Sequence, residues 1–174
     1  MNNADKNLGI LIGGFKAIGK STLAKKYSNV IDLESSNFEY IIDEELKKTP
    51  VEQRKGLKNR IKNPGYPLNY YNEIISNSKK NNIILFACKK EIIDLLNKNN
   101  IDYYIVYPKE EMLNEIINRC IKRGNNQEFI SRIKKVYLND FPKDNYKVIW
   151  LQKGQYLEEV LIKNKILDND IQVI

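Results

Sequence analysis

Gly14-Phe15-Lys16-Ala17-Ile18-Gly19-Lys20-Ser21, followed by Thr22, spells the G-x-x-x-x-G-K-S pattern of a phosphate-cradling loop. Its glycines let main-chain N–H groups approach phosphate oxygens with no Cβ in the way. Its lysine reaches the β- and γ-phosphates, and its hydroxyl holds Mg²⁺. Residues Gly14 to Thr22 therefore imply binding of a nucleoside triphosphate, with Lys20 on the transferring end and Ser21 on the metal. A second group is Arg119 and Arg123, spaced i, i+4, with Arg132 beyond them. The chain uses lysine freely, so a local cluster of arginine points to a need for the planar fork that stabilises a phosphoryl group in transfer. The competing explanation is three solvated surface arginines. Asp32 and Glu34 form a third group. Alternation puts both on one side of an extended segment beside the loop, where ligands and catalytic carboxylates gather at the carboxyl ends of parallel strands.

Apolar runs at residues 8–12, 29–34, 83–88, 101–107 and 146–151 read as strands, and they alternate with helical patterns. Such alternation predicts a parallel sheet covered on both faces. Residues 20–27 read as the helix leaving the phosphate loop. Ser36 to Glu39 spells a capping box opening a helix striped by Phe38, Ile41, Ile42 and Leu46 and stopped at Thr49-Pro50. Residues 51–67 carry Arg54, Lys55, Lys58, Arg60 and Lys62 before the break Asn63-Pro64-Gly65-Tyr66-Pro67, which predicts a mobile or substrate-covering stretch. A helix follows over 68–78. The most periodic stretch repeats Met112/Leu113, Ile116/Ile117 and Cys120/Ile121 up to Gly124, a helix-ending glycine, and a further helix runs over 127–138.

A chain of 174 residues suits one domain. The polar segment 1–7, with no later run near the roughly 18 apolar residues of a membrane span, reads as a soluble cytoplasmic protein. There is no histidine, and Cys88 and Cys120 lack metal-ligand spacing, so zinc sites, His-based triads and disulfide scaffolds are excluded. The net charge of +7 is spread along the chain, which fits a polyanionic small molecule better than a polynucleotide. A GTPase switch would need N-K-x-D, yet Asn97-Lys98 is followed by Asn99-Asn100 and Asn164-Lys165 by Ile166-Leu167. No oligomeric state follows from the sequence.

The string Arg119-Cys120-Ile121-Lys122-Arg123-Gly124, with Glu128, Ile130, Arg132 and Ile133, resembles the lid of guanylate kinases. The phosphate loop and strand-helix order resemble nucleoside monophosphate kinases generally. Asp32-Leu33-Glu34-Ser35-Ser36 is similar to a stretch in small P-loop kinase-like proteins of phages and low-GC bacteria. The resemblance implies a three-layer α/β/α P-loop fold with a five-stranded parallel sheet of order 2-3-1-4-5 and a helical lid. In it the core spans about 8–34 and 82–165, the acceptor-covering segment 36–80 and the lid 115–138. It implies Arg119, Arg123 and Arg132 closing over phosphates, and Asp32 or Glu34 orienting an acceptor or holding Mg²⁺ through water. It also implies that the loop Gln152-Lys153-Gly154 holds the adenine. Two departures stand out. The third strand ends in Ala87-Cys88-Lys89-Lys90 with no acid for the metal, and base recognition aligns only near Tyr66, Tyr70 and Tyr71, which as core tyrosines would bind nothing.

The function expected is transfer of the γ-phosphoryl of Mg-ATP to a small phosphorylated acceptor, a ribo- or deoxynucleoside monophosphate. Lys20, Asp32, Arg119, Arg123 and Arg132 would be catalytic, with Asp32, Glu34, Arg54, Arg60, Tyr66 and Tyr70 on the acceptor. A polynucleotide 5′-kinase or modified-base DNA kinase, or a non-catalytic nucleotide-binding module, is the less favoured alternative.

Overall fold

The computed structural model describes residues 8–78, 82–139 and 148–167. The polar segment 1–7 and the start of the last expected strand, Tyr146 and Lys147, lie outside the described residues. Five strands, β1 (Ile10–Gly14), β2 (Val30–Leu33), β3 (Ile83–Ala87), β4 (Tyr104–Pro108) and β5 (Val148–Leu151), form one parallel sheet in the order β2-β3-β1-β4-β5. That is the expected order and architecture. Leu11, Ile12, Ile84, Leu85, Phe86, Ile105 and Val106 are all buried. The continuous apolar runs of the central strands are thus covered on both faces, as parallel strands require. Register aligns Gly14 with Ala87 on one side and Val106 on the other, so the central strands finish together and their loops share one edge.

Helix α1 (Lys20–Lys26) leaves the loop after β1. After β2 come α2 (Ser36–Glu39), α3 (Glu44–Lys48), α4 (Val51–Arg54) and α5 (Leu68–Ser78). Then α6 (Lys90–Lys98), α7 (Leu113–Lys122), α8 (Gln127–Asn139) and α9 (Leu157–Lys163) alternate with the remaining strands. Helix α6 packs through Ile92, Ile93 and Leu96, and α7 through Ile116, Ile117 and Cys120, the stripes their spacing predicts. Gly124 ends α7 at φ 78. Among the described residues no helix is long and apolar enough to cross a membrane.

The stretch after β2 departs from expectation. Instead of one helix over 36–48, α2 stops at Tyr40, which forms an antiparallel bridge with Lys62. The Ile41 N–H donates to the Ile61 carbonyl at 2.9 Å and the Asn63 N–H to the Glu39 carbonyl at 2.8 Å. Tyr40-Ile41-Ile42 is aromatic and β-branched, and its extended preference outweighs the weak stripe. The capping box does not form. The Ser36 hydroxyl donates to Glu34 Oε1 at 3.2 Å, and Glu39 pairs with Lys89. Asp43 makes the stronger cap, accepting from the Leu46 N–H at 2.8 Å, and so restarts the chain as α3. The fourth strand also begins later than its apolar run, because the chain is still leaving α6 through Ile101, whose N–H donates to the Leu96 carbonyl at 3.0 Å.

Candidate functional site

The phosphate loop is shaped from beneath by its own apolar residues. Phe15 is buried with its ring 4.7 Å from Tyr107 and 5.2 Å from Tyr137, and Ile18 is wholly buried. Ala17 takes the left-handed conformation, φ 59, a strained geometry for a residue with a Cβ. Lys20 Nζ donates to the carbonyls of Gly14 at 3.1 Å and Phe15 at 2.8 Å, folded back over the loop. Burial lowers its pKa, against the opposing pull of Asp32 and Glu34.

Ser21 Oγ donates to Asp32 Oδ2 at 2.6 Å, joining the first turn of α1 to β2. The other carboxylate oxygen, Asp32 Oδ1, is buried and has no hydrogen-bond partner among the described residues. A hydroxyl beside a carboxylate with an unmet oxygen is a hard-oxygen set that fits Mg²⁺, and it needs no acid from β3. Thr22 is exposed and borders a separate shallow recess with Gly19 and Tyr156.

A cavity of about 470 Å³ opens along the carboxyl edge of the sheet. Its walls bring together the loop residues Gly14 to Ala17, Lys20 and Ser21, the β2 acids Asp32 and Glu34, and Arg60, Arg123 and Arg132. Arg123 and Arg132 are exposed, and their side chains make no hydrogen bond or ion pair among the described residues. Arg60 stacks its guanidinium 3.6 Å from the centre of the Tyr40 ring.

Arg119 is placed elsewhere. It is buried, 8% exposed, and donates to the carbonyls of Gln155 at 2.8 Å and Ala17 at 3.4 Å while pairing with Glu115. Its guanidinium lies 3.8 Å from the centre of the Tyr156 ring. Glu115 also accepts the Gly154 N–H at 3.0 Å, so Arg119 and Glu115 tie the phosphate loop, α7 and the loop after β5 into one unit. Burial opposes the Glu115 charge, but the Gly154 N–H and Arg119 together hold its pKa below the ordinary value.

The acceptor candidates separate likewise. Tyr70 is wholly buried, and its hydroxyl donates to the Leu33 carbonyl at 2.6 Å and accepts the Ala87 N–H at 2.9 Å. It braces β2 against β3 from within the core and does not line the cavity. Tyr66 is half-buried and donates to Glu91 Oε1 at 2.9 Å, so its ring stands behind the wall that Glu91 and Lys89 form. Burial and then Glu91 raise the pKa of the Tyr66 hydroxyl, and it stays protonated. Arg54 lies in α4 outside the cavity lining.

Several residues that build the roof were missed by sequence reasoning. Asn125 Nδ2 donates to the Glu52 carbonyl at 3.1 Å and to Glu52 Oε2 at 2.9 Å. Asn126 Nδ2 donates to the carbonyls of Gln53 at 3.2 Å and Lys55 at 2.9 Å. This two-asparagine clasp joins the turn between α7 and α8 to α4 and to Lys55 just after it. Lys55 in turn reaches Glu34 Oε2 at 2.8 Å and Glu52 Oε1 at 3.4 Å. Burial opposes the charge of Glu34, but Lys55 and Lys20 outweigh it and hold its carboxyl below the usual range. Asparagine is too common in this chain for two more to stand out; their position directly after the helix-ending Gly124 was the one available signal.

No protein-family model matches the chain, and no curated protein matches it. Among solved structures it is similar to the tunicamycin resistance protein of Deinococcus radiodurans, at 11% identity and TM-score 0.49, covering 91% of this chain and 96% of that one. It is also similar to a gluconokinase from Sinorhizobium meliloti 1021, at 12% identity and TM-score 0.52, covering 89% and 87%. What is shared at such identity is the fold, a P-loop kinase-like α/β/α architecture. The guanylate kinase-like lid resemblance rests on residues 119–133 of the sequence.

Proposed function

We propose that this chain is an ATP-dependent phosphotransferase that moves the γ-phosphoryl of Mg-ATP to a small phosphorylated acceptor, a ribo- or deoxynucleoside monophosphate. The observation that carries the reading is one cavity lined by Lys20, Ser21, Asp32, Arg123 and Arg132 together. In the transfer the bond from Pγ to the β,γ-bridging oxygen breaks, its electron pair leaving on ADP, and a bond from Pγ to an acceptor phosphate oxygen forms. That oxygen is already ionised, so the protein mainly positions the partners and spreads positive charge over the group in flight. Lys20 exchanges its two carbonyls for the β- and γ-phosphates. Arg123 and Arg132, exposed and with side chains in no hydrogen bond or ion pair among the described residues, turn onto the phosphoryl oxygens. Ser21 and Asp32 hold Mg²⁺, which when bound neutralises polyphosphate charge. Arg119 acts here as a positioning residue through Ala17 and Gln155. Glu34 and Arg60 line the acceptor end with Tyr66 behind them, whereas Arg54 and Tyr70 have no part in this reading.

The domain reading goes with it: one kinase-like unit over 1–174, with the core at 8–34 and 82–165, the acceptor-covering segment at 36–80 and the lid at 115–138. A second reading, transfer to a hydroxyl such as that of a nucleoside or polyol, is favoured by the unpartnered Asp32 Oδ1, which would take the hydroxyl proton as the new Pγ–O bond forms. The fold shared with a gluconokinase is compatible with it. The clasped roof over the cavity speaks against a polynucleotide end.

ADP release from Mg-ATP across ribo- and deoxynucleoside monophosphates, nucleosides, sugar acids and a 5′-hydroxyl oligonucleotide tests these readings, with Lys20→Ala as control. Release that depends on a monophosphate and is lost in the control is expected. Release with a nucleoside or sugar acid alone would replace the first reading by the second, and silence with all acceptors would sink both.

A further inference from the structure

We propose that Lys55 is a phosphate-binding residue of this site, a cation carried in by the covering segment to contact the transferring phosphoryl group. The inference rests on the phosphotransferase reading. Lys55 lines the same cavity as Lys20 and Arg123, and its side chain is 14% exposed. Its ammonium sits between two carboxylates, Glu34 at 2.8 Å and Glu52 at 3.4 Å. Two carboxylates share this one ammonium, and each has a further partner, Ser36 for Glu34 and Asn125 for Glu52, so neither depends on Lys55 alone. The ammonium is close enough to Lys20 that its charge helps depress the Lys20 pKa, as does that of Arg123. Three cations therefore converge where the γ-phosphoryl of a nucleotide on the loop would lie.

The backbone that delivers Lys55 is built for the task. Gly56 follows at φ 95, and a Cβ there would stand 2.5 Å from Asn126 Oδ1 and 2.9 Å from the Phe129 nitrogen, so the turn demands glycine. Asn126 fixes the Lys55 carbonyl at 2.9 Å. The clasp grips main chain only at this residue and leaves the side chain able to exchange partners. A phosphoryl group in transfer presents several anionic oxygens to an ammonium that Glu34 and Glu52 keep in place until then. Lysine suits such an exchange because its charge is compact and its stem flexible.

Calorimetric titration of the full chain with Mg-ADP, alone and with aluminium fluoride as mimic of the transferring phosphoryl, reads the contact directly. In Lys55→Met the gain in affinity from aluminium fluoride should fall by about 30-fold or more, while affinity for Mg-ADP alone changes by less than about 3-fold. Removing Lys55 alone leaves Glu34 without its ion pair, so Glu34→Gln combined with Lys55→Met serves as the variant with a balanced interior. It should show the same selective loss, and Lys55→Arg should recover part of it. Equal loss with and without aluminium fluoride, or no loss in either variant, overturns the proposal and assigns Lys55 to structure. Absence of any aluminium fluoride gain in the wild type overturns it too. Failure of the wild type to bind Mg-ADP brings down the phosphotransferase reading itself, a result distinct from the others.

Discussion

At the scale of single residues, the two arginines at i, i+4 divide by burial. Arg119 is enclosed and satisfies two carbonyls and Glu115, whereas Arg123 is exposed at the cavity wall. Arg119→Ala should therefore cost about 3 kcal/mol of folding stability by leaving Glu115 and two carbonyls unmatched. Arg123→Ala should stay within about 0.5 kcal/mol of wild type and instead slow turnover by roughly 100-fold. Urea denaturation alongside acceptor-dependent ADP release separates the two, and a stable, slow Arg119→Ala would contradict this division. Lys20 carries a pH signature. Burial lowers its pKa in the free protein and phosphate raises it, so nucleotide binding takes up a proton between those values. Affinity for Mg-ATP is expected to decline with rising pH while still below 10.5, the ordinary lysine value, and a flat profile of Kd from about pH 7 to 10 would refute this.

At the scale of elements, the parts that were legible in the sequence are those in which one physical term dominates. The central strands β1 and β3 open on the aliphatic runs Ile10-Leu11-Ile12 and Ile83-Ile84-Leu85, and α6 and α7 have stripes that admit one packing face. Where terms compete, reading failed. Tyr40 to Ile42 could continue a helix stripe or extend, and what decides is a bridge to Lys62, more than twenty residues away. Tyr70 has the spacing of a core residue and the chemistry of a binding residue, and only the paired Leu33 and Ala87 groups identify it as core. Asp32 beside Ser21 was legible because the strand and the motif fixed both positions locally. The clasp was not, since apart from the Glu52 carboxylate Asn125 and Asn126 bond to backbone, which leaves no trace in the partner's residue types. Gly56 is where the clasp can be tested through a single element. Gly56→Ala must adopt φ near 95 and press on Asn126 and Phe129, so a loss of about 2 kcal/mol is expected, with a higher KM for acceptor and little change in Kd for Mg-ATP. Unchanged stability in chemical denaturation would show that the turn relaxes freely.

At the scale of the molecule, the loop, α7 and the loop after β5 are cross-tied by Arg119, Glu115 and the Leu157 N–H, which donates to the Ile18 carbonyl at 2.8 Å. The phosphate-loop end of the cavity is thereby fastened to the sheet, and Glu52, Lys55 and Arg60 wall another side of it. Saturating Mg-ATP, at about 100 times Kd, should add about 2.7 kcal/mol to global unfolding. Hydrogen exchange should show protection in residues 10–23 with nucleotide alone and in 50–58 only when the acceptor is added. Simultaneous protection of both by nucleotide would mean that the two ends act as one body.

The clasp has a consequence for descent. Besides one bond to the Glu52 carboxylate, Asn125 and Asn126 recognise the carbonyls of Glu52, Gln53 and Lys55, and carbonyls are present whatever side chains mutation places there. Side chains at these positions can then be exchanged one at a time while the clasp still forms, provided Gly56 is kept. Lineages descended from such a chain would change what they phosphorylate more readily than how they close.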